Sequence, residues 1–487
     1  MEKQLKWVLL LPLKEMALRR VAVLLWSGSD ILASVMKFQH DRFGIEESKW
    51  KWLRTIEPKA KDRVLKLELP ESLMKQMIDI VGPIGLQIKR WKESLEYHLS
   101  IEIQEIILPN SAKLCWTSAG SINNRKTAEE LVRCDALDVV QRYKLACINC
   151  LEDYIPLLWE KLPEDSKMRF LRAGIPSPKL EFCWPYITRG ELSELDYLLS
   201  TSDRNLTSFN QWAFEHSVEH DNKTAAEYFF LKLRHGERKA SLMRTVEAAL
   251  RNTYISKNEE HSEILCYLLS LMSPEKQIEK FKERPIDVLW LFLDWPRQDL
   301  FLENAGLLWT FLPPSAYGDL RLQMVNSFTG SYQCFPKLFQ EFFIQSSVDF
   351  KKYFVGQPES NNSPACAFLS FFSCFEDSEA MEVILRNVDA ADRVKLVFNG
   401  HILKLFYRCM LKDRWHRVEG CLRVAALSKE DRERLKEAFI ESNYIGRVER
   451  ENRKIIRFFE FLNEADASAD KEKKAQKRKR ENCCPEY

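Results

Sequence analysis

The chain has 487 residues, of which 45% are hydrophobic and 30% charged, so it carries enough apolar surface to fold and is not a disordered chain over most of its length. Its 15 glycines and 19 prolines make turn-formers scarce, which disfavours many-stranded sandwiches and barrels and favours helices. The net charge is +2; setting aside Lys471–Arg480, with seven basic residues and one acid, leaves 66 basic against 70 acidic residues, a body of −4 with no overall field to recruit nucleic acid or an anionic membrane.

Length suggests two to four domains or one extended repeat array. The 13 cysteines are odd in number and scattered. The run Trp7–Leu13 (WVLLLPL) is too short for a secretory signal core, contains Pro12 and runs into Lys14 and Glu15. No stretch reaches the roughly 20 apolar residues of a membrane span. A reducing, cytoplasmic setting is therefore expected, with cysteines buried as small hydrophobes and the sequons at Asn205 and Asn222 unused. Cys484-Pro-Glu-Tyr487 has the length of a prenylation box but the wrong residues.

In chain order, Leu13–Trp26 reads as a helix with Leu13, Met16, Ala17 and Val21 at helical spacing. Ser27-Gly-Ser-Asp30 ends it and can cap a second helix, Ile31–Phe38. Asp41–Arg63 is charged and broken, a loop with a short helix. Pro70 opens another helix with Leu73, Met77 and Ile80 on one stripe. Ile101–Leu108 fits a strand or a helix equally. Residues 1–110 thus form a helical N-terminal region, either a separate domain or the cap of a solenoid.

From about Ser118 a repeat emerges. Asp196–Ser200 (DYLLS), Glu227–Leu231 (EYFFL) and Cys266–Ser270 (CYLLS) are alike and lie 31 and 39 residues apart. A second recurring piece, a short loop followed by an amphipathic helix, occurs at Pro163–Phe170, Pro274–Phe281, Asp389–Leu396 and Ser428–Leu435. Spacings of 31–39 residues are those of stacked helical units. The clearest unit is Ala213–Leu231: Phe214 and Val218 share a face, Asp221-Asn222 makes the turn, and Ala225, Tyr228, Phe229 and Lys232 line one side of the next helix. Ile402–Ala425, turning at Lys412-Asp413-Arg414, and Asp287–Leu312, turning at Asp294-Trp-Pro296, conform to the same scheme. One such hairpin cannot bury its apolar face alone, whereas stacked neighbours can. The expected fold class is all-α: an α-solenoid over 111–463 and a disordered basic tail over 464–487.

The pair Trp212–Leu231 resembles a degenerate ankyrin helix pair: a first helix ending near an acid, a turn at Asp221-Asn222, and a second helix with the hydrophobic group Tyr228-Phe229-Phe230. Thr-Pro-Leu-His is absent and unit length varies, so the resemblance implies an irregular, ankyrin-like array. The wider pattern, including Thr127–Val140, looks like a large family of uncharacterised animal proteins over about residues 110–465; that resemblance implies no activity.

Few residue groups suggest chemistry. His216-Ser-Val-Glu-His220 matches the His-x-x-Glu-His pattern of inverted zinc peptidases, in which imidazoles at i and i+4 share a helix face for zinc and the carboxylate serves as base. A third ligand would have to come from an acid such as Glu259, Glu260 or Glu263. The competing reading places the two histidines at a helix C-terminus, where the dipole favours them without a metal. Cys147-Ile-Asn-Cys150 could pair two thiols on zinc, yet no second pair lies at finger or ribbon spacing, and core cysteines are the simpler reading. Lys477-Arg-Lys-Arg480 can act as a nuclear import signal or simply solvate the tail. Phe335, Phe339, Phe342 and Phe343, like Phe368, Phe371 and Phe372, are core stripes rather than a ligand box. No phosphate loop, dinucleotide fingerprint or nucleophile elbow occurs, so no catalytic or cofactor-binding residue is assigned. The expectation is a non-enzymatic scaffold that binds another protein on the concave face of its repeats, with no membrane, nucleic-acid or small-molecule partner. The alternatives are a zinc-dependent hydrolase using His216, Glu219 and His220, and a nuclear regulatory protein imported through its tail.

Overall fold

The computed structural model describes residues 5–7, 9–38, 51–99, 113–135, 137–172, 179–200, 208–252, 259–312, 336–355, 378–441, 453 and 455–463. Among them the architecture is all-helical, and the one β-type pairing is an isolated antiparallel bridge between Trp116 and Ile122. The chain divides into two compact units, residues 1–304 and 305–487. The expected boundary near residue 110, the segment Ile101–Leu108 and the tail 464–487 all lie outside the described residues.

The first unit opens with α1 (Leu13–Trp26), α2 (Ser29–Met36), α3 (Glu57–Leu65) and the long α4 (Glu71–Leu99). Helix α1 has the expected bounds, since Pro12 cannot continue a helix backwards and Ser27-Gly28 ends it. The residues noted at helical spacing are not its buried face. Leu18, Ala22, Val23 and Trp26 face the core, while Leu13, Met16, Ala17 and Val21 are exposed. Both sides of α1 are apolar, so spacing alone cannot choose between them. The broken segment 41–63 is more helical than expected. Residues 51–55 and α3 form helices because Trp52, Ile56, Ala60 and Val64, each four apart, bury together beneath the intervening charges. Helices α1, α2 and α3 all pack on α4. At their centre Trp26 stacks on Trp52, with centroids 5.8 Å apart, and its indole N–H donates to the Val81 carbonyl over 2.7 Å. Gly85 permits that approach: a Cβ there would stand 2.1 Å from the Trp26 ring.

The unit continues through α5 (Asn124–Arg133), α6 (Val139–Ile148), α7 (Ile155–Lys161), α8 (Glu164–Arg172), α9 (Leu180–Arg189), α10 (Leu192–Ser200), α11 (Phe209–Glu219), α12 (Lys223–Lys232), α13 (His235–Asn252), α14 (Glu259–Ser270), α15 (Pro274–Glu283), α16 (Pro285–Trp290) and α17 (Gln298–Leu308), whose last four residues belong to the second unit. Successive helices pack on one another: α5 on α6, α6 on α7, α9 on α10, α10 on α11, α11 on α12 and α13 on α14. Helix α6 also packs on α4 and α9. Arg19 crosses the unit from α1, lying 4.3 Å above the Trp295 ring and donating to the Ala119 carbonyl over 2.9 Å.

In the second unit, α18 (Pro336–Gln345), α19 (Val348–Val355), α20 (Ser378–Arg386), α21 (Ala390–Val397), α22 (Gly400–Leu411), α23 (Trp415–Ala425) and α24 (Lys429–Glu441) are followed by a helix over 455–463. Helix α23 is its hub, packing against α20, α21 and α22. Phe342 and Phe343 are buried as expected of a core stripe. The set Phe368, Phe371 and Phe372 lies outside the described residues, as does the Phe335 end of the first stripe.

All four recurring loop-helix pieces are helices, α8, α15, α21 and α24, and the residue that closes each, Phe170, Phe281, Leu396 or Leu435, is buried. The helix hairpins share a finer device. At the ends of α6, α9, α11 and α22, the residue after the cap or the cap itself takes a left-handed conformation: Cys150 (φ 51°), Gly190 (φ 75°), Asp221 (φ 55°) and Asp413 (φ 55°). In each, the next residue's N–H reaches back to a carbonyl five residues earlier, as in Asn222 to Ser217 and Arg414 to Cys409, both at 2.8 Å. This is the Schellman geometry that closes a helix and reverses the chain. Only one of the four positions is a glycine.

Candidate functional site

The end of α11 gathers the residues with chemical potential. Ser208 caps its start by accepting from the Gln211 N–H. At its other end the Schellman turn throws the chain into α12, and the Asn222 side chain caps that helix by accepting from the Ala225 N–H over 3.0 Å. The same side chain donates to the Ile148 carbonyl over 2.9 Å, tying this hairpin to the end of α6.

His216, Glu219 and His220 come together on that last turn, each with a ligand-type atom within 4.8 Å of the others. The geometry follows from positions i, i+3 and i+4 of a helix. The His216 ring stacks on Trp212 at 4.6 Å and 18°, and the His220 ring lies tilted at 43° to it with centroids 4.0 Å apart. His220 Nδ1 donates to the His216 carbonyl over 2.9 Å, which sets the tautomer with the lone pair on Nε2. The pattern therefore ends a helix, as the competing sequence reading has it, and the carboxylate grouped with the two imidazoles is Glu219 itself. Glu263 is committed to Lys223 at 2.8 Å, Glu260 lines a cavity beside the cluster, and the Glu259 side chain lies outside the described residues.

That cavity is small, about 80 Å3, and is lined among others by Trp91, His98, Asn149, His220, Lys223 and Glu260. Its charges are organised around the turn. Asp221 accepts from His261 Nδ1 over 2.8 Å, and His261 Nε2 faces the Ala249 carbonyl at 3.1 Å. Burial disfavours the charged form of Lys223, but the Glu263 carboxylate, with Glu227 adding to it, holds the ammonium above its ordinary pKa. Burial pushes His98 down; its Nδ1 donates to the Ser94 carbonyl over 2.7 Å. Burial pushes the Glu260 carboxyl up, against the Ser94 hydroxyl, with Asp221 and Glu263 adding repulsion.

A carboxyl with a raised folded pKa binds its proton more tightly when folded, so its contribution to stability falls as pH rises from the ordinary 4.5 through the raised value. Glu260→Gln removes that fall. Urea midpoints measured from pH 4.5 to 8 are expected to favour the Gln variant over wild type increasingly as pH rises. Parallel pH profiles would contradict the assignment.

Cys147 and Cys150 behave as core residues. Both are buried, and burial raises both thiol pKa values, so neither is a ready thiolate. Cys147 lies in the last turn of α6 while Cys150 occupies the left-handed turn position, and no third metal-type ligand joins them among the described residues. Lys477, Arg478, Lys479 and Arg480 lie outside the described residues.

Sequence reasoning missed His98, the Asp221–His261 pair and the Lys223–Glu263 pair. Each joins residues 40 or more positions apart, and no local motif marks them. The apolar stripe of α1 that includes Leu13, Ala17 and Val21 meets solvent: Leu13 is 84% and Leu24 57% exposed, with Leu10 just before the helix. No helix of the described residues is long and apolar enough to cross a membrane. Comparison with protein-family models and with curated proteins returns no match.

Proposed function

We propose that the chain is a non-enzymatic scaffold that binds another protein, built as an irregular, ankyrin-like array of stacked helix pairs working in the cytoplasm. The observation that carries this reading is α1. A helix with apolar residues on two opposite sides ordinarily buries both. Here one side packs on α4, and the stripe Leu13, Ala17, Val21 and Leu24, three or four residues apart, meets solvent. Residues at that spacing form one straight ridge, the form an apolar groove or a second amphipathic helix accepts. The sequence alone favours the concave face of the repeats as the binding face; α1 offers the more specific one. The shared Schellman hairpins support the repeat reading, because they recur at 40 and 31 residues through Cys150, Gly190 and Asp221.

The hydrolase reading is less well supported. Glu219 is grouped with the two imidazoles rather than set apart from them as a base, and the adjoining cavity is far below the 300–1,000 Å3 typical of small-molecule sites.

The test is Leu13→Glu combined with Leu24→Glu. Both side chains are exposed, so stability should change by no more than about 0.5 kcal/mol per site. Partner affinity should fall about tenfold or more, since central apolar anchors dominate an interface. A partner bound equally well by the variant would remove α1 as the binding face.

A further inference from the structure

We propose that His216, Glu219 and His220 form a binding site for one divalent transition-metal ion of the zinc type on the surface of the first unit. This goes beyond the scaffold reading and does not depend on it. The donor set is two imidazole nitrogens and one carboxylate oxygen, which suits zinc and its neighbours better than calcium or magnesium, both of which prefer all-oxygen shells. All three ligands come from a single turn of α11 and its cap, so the backbone already fixes their relative positions.

Metal–ligand bonds of about 2.0–2.2 Å place the ligand atoms of a tetrahedral site about 3.3–3.6 Å apart. The atoms here lie within 4.8 Å of one another, so closure requires a movement of little more than an ångström. His220 is exposed and can turn toward the other two ligands by side-chain rotation without moving the helix. The outer contacts are of the kind that metal sites use. The Trp212 ring lies flat against His216 and limits its rotation. The Nδ1 hydrogen bond of His220 to the His216 carbonyl presents Nε2 as the coordinating nitrogen. The site also sits at a helix C-terminus, where the carbonyl ends of the backbone favour a cation. Three protein ligands leave a fourth position open on the exposed side, for water or for a donor from a bound partner.

The test uses the untagged full-length chain, freed of metal by dialysis and titrated with Zn2+ by calorimetry. The expected result is one high-affinity ion per chain. Loss of an outer contact alone weakens metal sites by 10–100-fold, so removing two direct ligands in His216→Ala/His220→Ala should weaken binding by at least about 100-fold. Glu219→Gln should weaken it by at least about tenfold, and His235→Gln, outside the cluster, should leave it unchanged. Circular dichroism checks that the variants keep their helical content; if the double variant does not, Glu219→Gln decides. Absence of Zn2+ binding by the wild-type chain overturns the proposal. So does binding that survives in the ligand variants, or a thiolate-to-metal charge-transfer band on Co2+ loading, which would place the ion on cysteines.

Discussion

Trp26→Ala should destabilise the first unit by about 3–5 kcal/mol, the range for deleting a large aromatic from a core that cannot fully collapse. The side chain has no exposed surface, stacks on Trp52 and donates to the Val81 carbonyl, so the variant loses packing and a buried hydrogen bond together. Gly85→Ala should destabilise by about 1–3 kcal/mol for the opposite reason, because its Cβ would stand 2.1 Å from the same ring. The two changes fill and empty one space. The double variant should therefore be less destabilised than the sum of the singles, by at least about 0.5 kcal/mol. Urea unfolding followed by tryptophan fluorescence and by circular dichroism measures all three. A cost below about 1 kcal/mol for Trp26→Ala would mean that α1 and α4 do not pack as described.

The second large effect concerns the recurring helices. Phe281→Ala should cost about 3–5 kcal/mol in the first unit and Leu435→Ala about 2–5 kcal/mol in the second. Both side chains are fully buried and occupy the same place in the recurring piece. Tyr197→Ala, in a segment equally prominent in the sequence, should change stability by less than about 0.5 kcal/mol, because Tyr197 is 68% exposed. Equal costs at all three positions would show that the repeated pattern does not mark structurally equivalent anchors.

That contrast also shows how far the sequence was legible. Helix starts were readable where proline or a cap residue punctuates the chain, as at Pro12, Pro274 and Asp389, because these residues act locally. The loop-helix pieces were readable because one apolar residue must close each of them. The hairpin turns were harder to recognise as one motif. Their left-handed positions hold Cys150, Asp221 and Asp413, and a non-glycine in that conformation leaves no sequence mark. Burial faces are not legible where both sides of a helix carry apolar residues, as on α1, since only the neighbouring helix decides which side it covers. The His216–His220 cluster was visible because its members lie within one helical turn. The cavity beside it was not, because His98 arrives from α4 and Glu260 from α14.

The central claim is that the chain works by holding another protein against α1. The most direct measurement compares quantitative affinity purification of the full chain with that of its Leu13→Glu/Leu24→Glu variant, after circular dichroism has shown that both are equally helical. The account predicts one or a few proteins recovered near stoichiometry with the wild type and lost with the variant. Recovery of the same proteins by both forms, or of none by the wild type, would contradict it.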